Sequence, residues 1–196
     1  HQSQKFRLQD KLLTKFPAEI QEQTAKIAAL KSDAEIAAAH PQDKENFCGM
    51  VIKGMTYDEK KTACERLILA CTELPNTEEQ LVGSYRGFEL SLRFDTFRNE
   101  HQALLKGKLK YPVSLGSDPH GNIVRLDNAL SNFADRITAA ENELDTLKQQ
   151  QVAAQIEVEK PFPQEEELAQ KSARLAELNA QLDVDEKNHE PEQDEE

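Results

Sequence analysis

Lys106, Lys108 and Lys110 recur at every second residue of this 196-residue chain, and a strand would carry all three ammonium groups on one face about 6.6 Å apart. That interval is close to the phosphate repeat of a nucleic-acid strand, so such a row would hold phosphates by charge. Arg86, Arg93, Arg98 and Arg125 extend the candidate surface, and Tyr85 and Tyr111 offer rings on which bases could stack. The competing reading is an edge strand kept soluble by its lysines and paired with Glu89 across the ladder.

Other groups with chemical potential are weaker candidates. Asp118, His120 and Asp127 would serve acid–base work only if they converged; a polar turn ahead of a helix accounts for them as well. Cys48, Cys64 and Cys71 lack the Cys-x-x-Cys spacing of a zinc knuckle, and two of them sit seven apart on one helix, beyond disulfide reach. They read as small buried hydrophobes, with no metal and no cofactor expected. No Gly-x-x-x-x-Gly-Lys-Ser/Thr run is present to cradle a phosphate. The Asn/Asp-Pro-Pro-aromatic stretch of an adenine methyltransferase is also missing, so no catalytic residue is assigned and the chain is not expected to be an enzyme.

Composition bounds the elements that must position these groups. The chain is 38% apolar and 6% aromatic, with no Trp and seven glycines, which points to long helices with narrow buried seams. Its net charge of −12 is uneven, because Asp183 to Glu196 hold eight acids against one lysine. The stretch from Ser84 to Arg125 is locally basic, so an acidic whole does not exclude an anionic partner for the middle. Three unpaired cysteines and the absence of a long apolar run predict a cytoplasmic chain without a membrane contact. It begins His-Gln-Ser and enters helical register at once, and it is expected to be a piece of a longer polypeptide.

Two long helical patterns stand out. Phe6, Leu13, Phe16, Ile20, Ile27, Leu30 and Ala34 share one seam, with Pro17 predicting a kink or restart near Phe16. Leu126, Leu130, Phe133, Ile137, Ala140, Leu144, Leu147, Gln151, Ala154 and Val158 follow at steps of four and three, which predicts a rod about 50 Å long. Between them, Phe47 to Ile52 reads as a strand, Lys53-Gly54 as a turn, and Glu59 to Leu74 as a helix capped by Asp58. Ser84 to Phe94 and Leu104 to Leu115 alternate and form an antiparallel pair with one wet face. Asp118 to Gly121 reads as a reverse turn.

The expected fold is α+β and mainly helical: a long antiparallel coiled-coil hairpin carrying a small α/β domain with an antiparallel sheet. Its parts are a first stalk helix at 3–40, the small domain at 47–122 and a second stalk helix at 123–160. A helix stop at Pro161-Phe162-Pro163, a short helix at 164–183 and an acidic disordered tail at 184–196 follow.

Gly-Asn-Ile-Val-Arg-Leu-Asp-Asn-Ala-Leu at 121–130, Lys-Pro-Phe-Pro-Gln-Glu-Glu-Glu-Leu at 160–168 and Arg-Leu-Ala-Glu-Leu-Asn at 174–179 carry a resemblance. So do Ile52 to Asp58 and Tyr85 to Leu90. These segments resemble the C-terminal region of the very large helicase and DNA-methylase polypeptides of bacterial mobile and conjugative elements, which join an SNF2-type helicase to an adenine methyltransferase. Cys64 stands where that pattern has a glycine. The resemblance implies upstream helicase and methylase domains in the same polypeptide, working on DNA in a bacterial cytoplasm. The expected function is therefore a non-catalytic accessory domain that contacts or positions DNA. The alternative is a coiled-coil protein-interaction or dimerisation scaffold, a homodimer included, without nucleic-acid binding.

Overall fold

The computed structural model describes residues 2–42, 47–160 and 165–187. The stop expected at Pro161-Phe162-Pro163 lies outside them, as does the tail expected at 184–196 from residue 188 onward; its residues 184–187 are instead the end of a helix. The chain forms two compact units, Lys15–Gln150 and His1–Thr14 together with Gln151–Glu196.

In the larger unit, six strands form one antiparallel sheet: β1 (Met50–Ile52), β2 (Met55–Tyr57), β3 (Gln80–Tyr85), β4 (Phe88–Asp95), β5 (Glu100–Lys106) and β6 (Lys110–Ser114), in the order β2-β1-β3-β4-β5-β6. Alternation places Met50, Ile52, Tyr85, Phe88, Leu90, Leu92, Ala103, Leu105, Tyr111 and Val113 on the buried face. Helices α2 (Phe16–Ala39), α3 (Lys60–Thr72), α4 (Pro119–Ala129) and the first part of α5 (Phe133–Glu159) supply the opposing residues Leu30, Cys64, Leu67, Ile123, Leu126 and Phe133 to the same core. On the second face Glu89, Lys106 and Lys110 are exposed, while Ser91, Gln102 and Leu104 between them are buried.

The smaller unit contains α1 (Gln2–Asp10), the end of α5, and α6 (Glu165–Lys187). Phe6, Leu13, Val152, Ile156, Leu175 and Leu178 are all exposed there, whereas Ala154 is buried.

The long coiled-coil hairpin expected from the heptads is not what the chain forms, although the α+β character is present. The rod expected from Leu126 to Val158 is two helices, interrupted at Leu130 to Asn132, where Asn132 adopts a left-handed φ of 60°. Leu126, Leu130 and Phe133 are buried in the core that backs the sheet, and Phe133 stacks on Phe88 with ring centroids 6.5 Å apart. Heptad spacing reports an apolar stripe but not what covers it, and here the sheet competes with the opposite helix for that stripe. Polar contacts between α2 and α5 are local: Gln23 donates to Ala140 O at 2.9 Å and to Glu143 at 2.8 Å, and Lys31 pairs with Glu141 at 2.8 Å.

The two predicted strands are four. Ser84 to Phe94 is broken by a two-residue turn at Arg86-Gly87, with φ of 50° and 78°, the left-handed pair that suits the twist of a tight hairpin. Leu104 to Leu115 folds back at Gly107-Lys108-Leu109, so Lys106 faces Lys110 across the ladder. β2 was not foreseen; α3 begins at Lys60 rather than Glu59; and Asp118 to Gly121 is the start of α4, with Asp118 as its N-cap. Ahead of Pro17 the first helix does not stop; a π-helical turn at Lys11–Lys15 accommodates the missing donor and α2 starts at Phe16.

Candidate nucleic-acid interface

The row of three lysines on one strand does not exist, because Gly107 turns the chain between the first and the second. Lys106 ends β5, Lys110 begins β6, and Lys108 occupies the loop. The loop is fixed from beneath. Asp33 on α2 is wholly buried, and its carboxylate accepts the backbone N–H of Lys108 at 2.6 Å, that of Leu109 at 2.9 Å and the Tyr111 hydroxyl at 2.7 Å. A Cβ on Gly107 would meet Asp33 Oδ1 at 2.3 Å, so the residue that turns the chain also makes room for the carboxylate. Burial and the Asp33 hydrogen bond both raise the Tyr111 pKa, which keeps the phenol a donor.

Two of the three lysines have carboxylate partners. Lys106 Nζ lies 2.9 Å from Glu89 Oε2 and Lys110 Nζ 2.7 Å from Glu79 Oε2. The hydrogen bond to Glu89 raises the Lys106 pKa, and the one from Lys110 lowers that of Glu79. Glu79 precedes β3, so its pair with Lys110 crosses the second face over β4 and β5. Lys108 is exposed and pairs with no carboxylate among the described residues.

Towards the other end of β4 and β5 lie Arg93, about 13 Å along the strands from Lys106, and Arg98, in the turn about 20 Å away. Arg93 Nε and Nη2 donate to Gln102 Oε1 at 3.1 and 2.8 Å, a neutral acceptor that leaves the guanidinium charge uncompensated by direct contact. Asp95 is occupied internally: Oδ1 accepts the backbone N–H of Phe97 and of Arg98 at 3.0 and 3.1 Å, and Oδ2 accepts Gln102 Nε2 at 3.1 Å. Glu100 accepts from Ser114 Oγ and approaches Arg98 only to 3.9 Å. Beside this turn a depression of about 220 Å³ is lined by Arg93, Asp95, Arg98, Gln102, Pro112 and Ser114.

Arg86 and Arg125 do not join this surface. Arg86 Nε donates to His40 O at 2.9 Å, beyond the end of α2, and its Nη1 is 3.4 Å from Asp127 on α4. Arg125, also on α4, reaches Asn122 Oδ1 at 3.2 Å and packs over Gly116. Both belong to the helical layer. The two tyrosines considered for stacking are buried as well: Tyr85 is 1% exposed and its hydroxyl donates a hydrogen bond to Asp127 at 2.7 Å, and Tyr111 is held by Asp33.

The acid–base grouping does not assemble. Asp118 caps the N-terminus of α4, accepting from His120 N and Gly121 N, while Asp127 stands about 13 Å further along that helix. Among the described residues no three His, Cys, Asp or Glu side chains are grouped to hold a metal ion. Cys64 and Cys71 are buried, and desolvation raises both thiols, Cys71 to about 11.

Sequence reading missed three features that define the surface. Asp33 looked like one more polar residue on a helix. Gln102 lies ahead of the strand predicted from Leu104, whereas β5 begins at Glu100. Phe97, 95% exposed at the β4–β5 turn, belonged to no periodic pattern; its only signal was an aromatic between a turn-forming Asp95 and Asn99. No helix among the described residues is long and apolar enough to cross a membrane. No family model, no curated protein and no solved structure matches the chain.

Proposed function

We propose that this chain is a non-catalytic accessory module of a large DNA-processing polypeptide, with helicase and methylase domains elsewhere in that polypeptide, working in a bacterial cytoplasm. Its task is to contact or position DNA through the second face of the sheet and the two turns that close it. The observation that carries this reading is Lys108, an exposed cation whose ammonium has no carboxylate partner among the described residues, on a loop whose backbone is clamped by Asp33. With the backbone already held, only the side chain must be ordered when the Lys108 ammonium engages a phosphate, and Arg93 and Arg98 add two further guanidinium groups towards the other end of β4 and β5. Lys106 and Lys110 contribute by exchanging their carboxylate partners for phosphate, a small loss because exposed pairs are worth little. The contacts are to the backbone and carry no sequence preference.

Fluorescence anisotropy with a labelled oligonucleotide at low salt tests this reading. Binding should fall with rising salt and be lost when Lys106, Lys108 and Lys110 become Glu. Affinity undetectable at low salt, or indifferent to those substitutions, would sink it.

A protein-interaction scaffold is the second reading, favoured by one observation: Phe6, Leu13, Val152, Ile156, Leu175 and Leu178 are exposed on the helices of the smaller unit. Apolar positions of this kind mark a surface that another helix would cover, in a second copy or in the parent polypeptide. Sedimentation showing a concentration-independent monomer would argue against the self-associating form.

A further inference from the structure

We infer that the β4–β5 turn is a reader of unpaired nucleic acid: Phe97 stacks on an exposed base while the depression beside it, lined by Arg93 and Arg98, takes the neighbouring phosphate. This rests on the DNA reading above and specifies the form of nucleic acid that the surface selects.

Three observations converge on this turn. First, Phe97 is almost entirely exposed, yet its backbone is fixed, because Asp95 Oδ1 accepts both its N–H and that of Arg98. Solvent exposure of a whole phenyl ring is unfavourable in the free protein, and with the backbone held only the ring's own two torsions must be ordered on gaining a flat partner.

Second, the carboxylates at this end are engaged within the protein. Asp95 has backbone and Gln102 donors on both oxygens, and Glu100 is bound by Ser114. Arg98, with its side chain 63% exposed, has only a 3.9 Å approach to Glu100, and Arg93 leans on the neutral Gln102. Asp95 and Glu100 keep their charges and balance the two arginines, so the cation open to an incoming phosphate is the exposed Arg98, at the long end of its pair.

Third, the 220 Å³ depression brings the guanidinium groups of Arg93 and Arg98 to one place, while its Ser114 hydroxyl and Gln102 amide already donate to Glu100 and Asp95. A ring and an anion site side by side match adjacent parts of one nucleotide chain. A paired base in a duplex is stacked on both faces and has none free for Phe97, so the turn should prefer single strands.

The test compares a fluorescein-labelled twelve-residue oligothymidylate with a duplex of equal length, using the 196-residue chain and Phe97→Ala, Phe97→Tyr and Arg98→Gln variants. Phe97→Ala should weaken single-strand binding about 5- to 160-fold, the range of one base–aromatic stack, without altering the salt slope or the duplex affinity. Phe97→Tyr should restore it. Arg98→Gln should instead reduce the salt slope by about 0.7, one phosphate contact on a single strand. An unchanged melting temperature for Phe97→Ala would confirm that the fold is intact.

Equal loss on both forms of DNA, or wild-type affinity in Phe97→Ala, would overturn the inference while leaving the DNA reading standing. A change in sedimentation rather than in DNA affinity would make Phe97 a protein contact and overturn it also. If the wild-type chain binds neither oligonucleotide, the underlying DNA reading fails and the inference falls with it.

Discussion

Asp33 and Lys108, seventy-five residues apart in sequence, are joined by a 2.6 Å hydrogen bond from the backbone N–H of the lysine to a carboxylate that is completely buried. Through that contact α2 dictates where the β5–β6 loop stands. Replacing Asp33 by Ala would leave three donors unsatisfied, those of Lys108, Leu109 and Tyr111. At roughly 1–3 kcal/mol for a buried unpaired donor, with some re-solvation at the loop, the loss should be about 3–5 kcal/mol. Asp33→Asn, which keeps one acceptor oxygen, should lose about 1–3 kcal/mol. Urea denaturation measures both, and amide exchange at Lys108 and Leu109 should accelerate more than at Leu90.

The second clamp is Arg86. Its guanidinium joins the carbonyl of His40 after α2 to Asp127 on α4, and Tyr85 shares that same Asp127 oxygen. Arg86→Ala should destabilise the larger unit by about 2–3 kcal/mol, since it removes a charged group that bridges two helices and leaves Asp127 partly buried beside a single donor. Arg86→Lys should recover little, because an ammonium cannot reproduce the planar fork. Equal stability of Lys and Arg variants in chemical denaturation would show that the charge alone matters.

How much of this was readable in advance depends on the kind of signal. Alternation in Phe88, Leu90 and Leu92 is a local property, and it placed those residues on the buried face without any knowledge of the partner. The break at Gly107 was read through, because Lys106, Lys108 and Lys110 kept a period of two across it; a glycine inside a strand pattern marks a turn or a close approach, and here it marks both. The Arg86-Gly87 turn was hidden for another reason: arginine is an unusual occupant of a left-handed position that Asn, Asp or Gly normally fills. Asp33 left no trace, since it acts across seventy-five residues, and Phe97 left only an aromatic between two turn formers, because its ring is almost wholly exposed.

Alkaline pH should unfold the larger unit early. Burial pushes the Cys71 thiol from 9.0 up to about 11, and burial with the Asp127 and Asp33 hydrogen bonds raises Tyr85 and Tyr111. Groups whose protons are held more tightly in the folded chain contribute stability that is complete below their unfolded values. That contribution is lost as pH rises through the folded ones. Stability should therefore begin to decline near pH 9 and fall steeply above 10, read by denaturant midpoints at each pH. Cys71→Ala should soften the first part of the decline. In the folded chain at pH 8, an aromatic disulfide reagent should modify exposed Cys48 first and reach Cys64 and Cys71 only on unfolding.

The most direct measurement is the salt dependence of oligothymidylate affinity for the intact chain, followed by anisotropy from about 20 to 200 mM salt. If Lys108, Arg93 and Arg98 with their neighbours meet three to five phosphates, log affinity should fall linearly with log salt at a slope of about −2 to −3.5. Lys108→Glu should weaken binding and flatten that slope more than Lys106→Glu does, because Lys106 already has Glu89 as its partner. No binding at the lowest salt, a slope near zero, or identical behaviour of the two lysine variants would contradict the account.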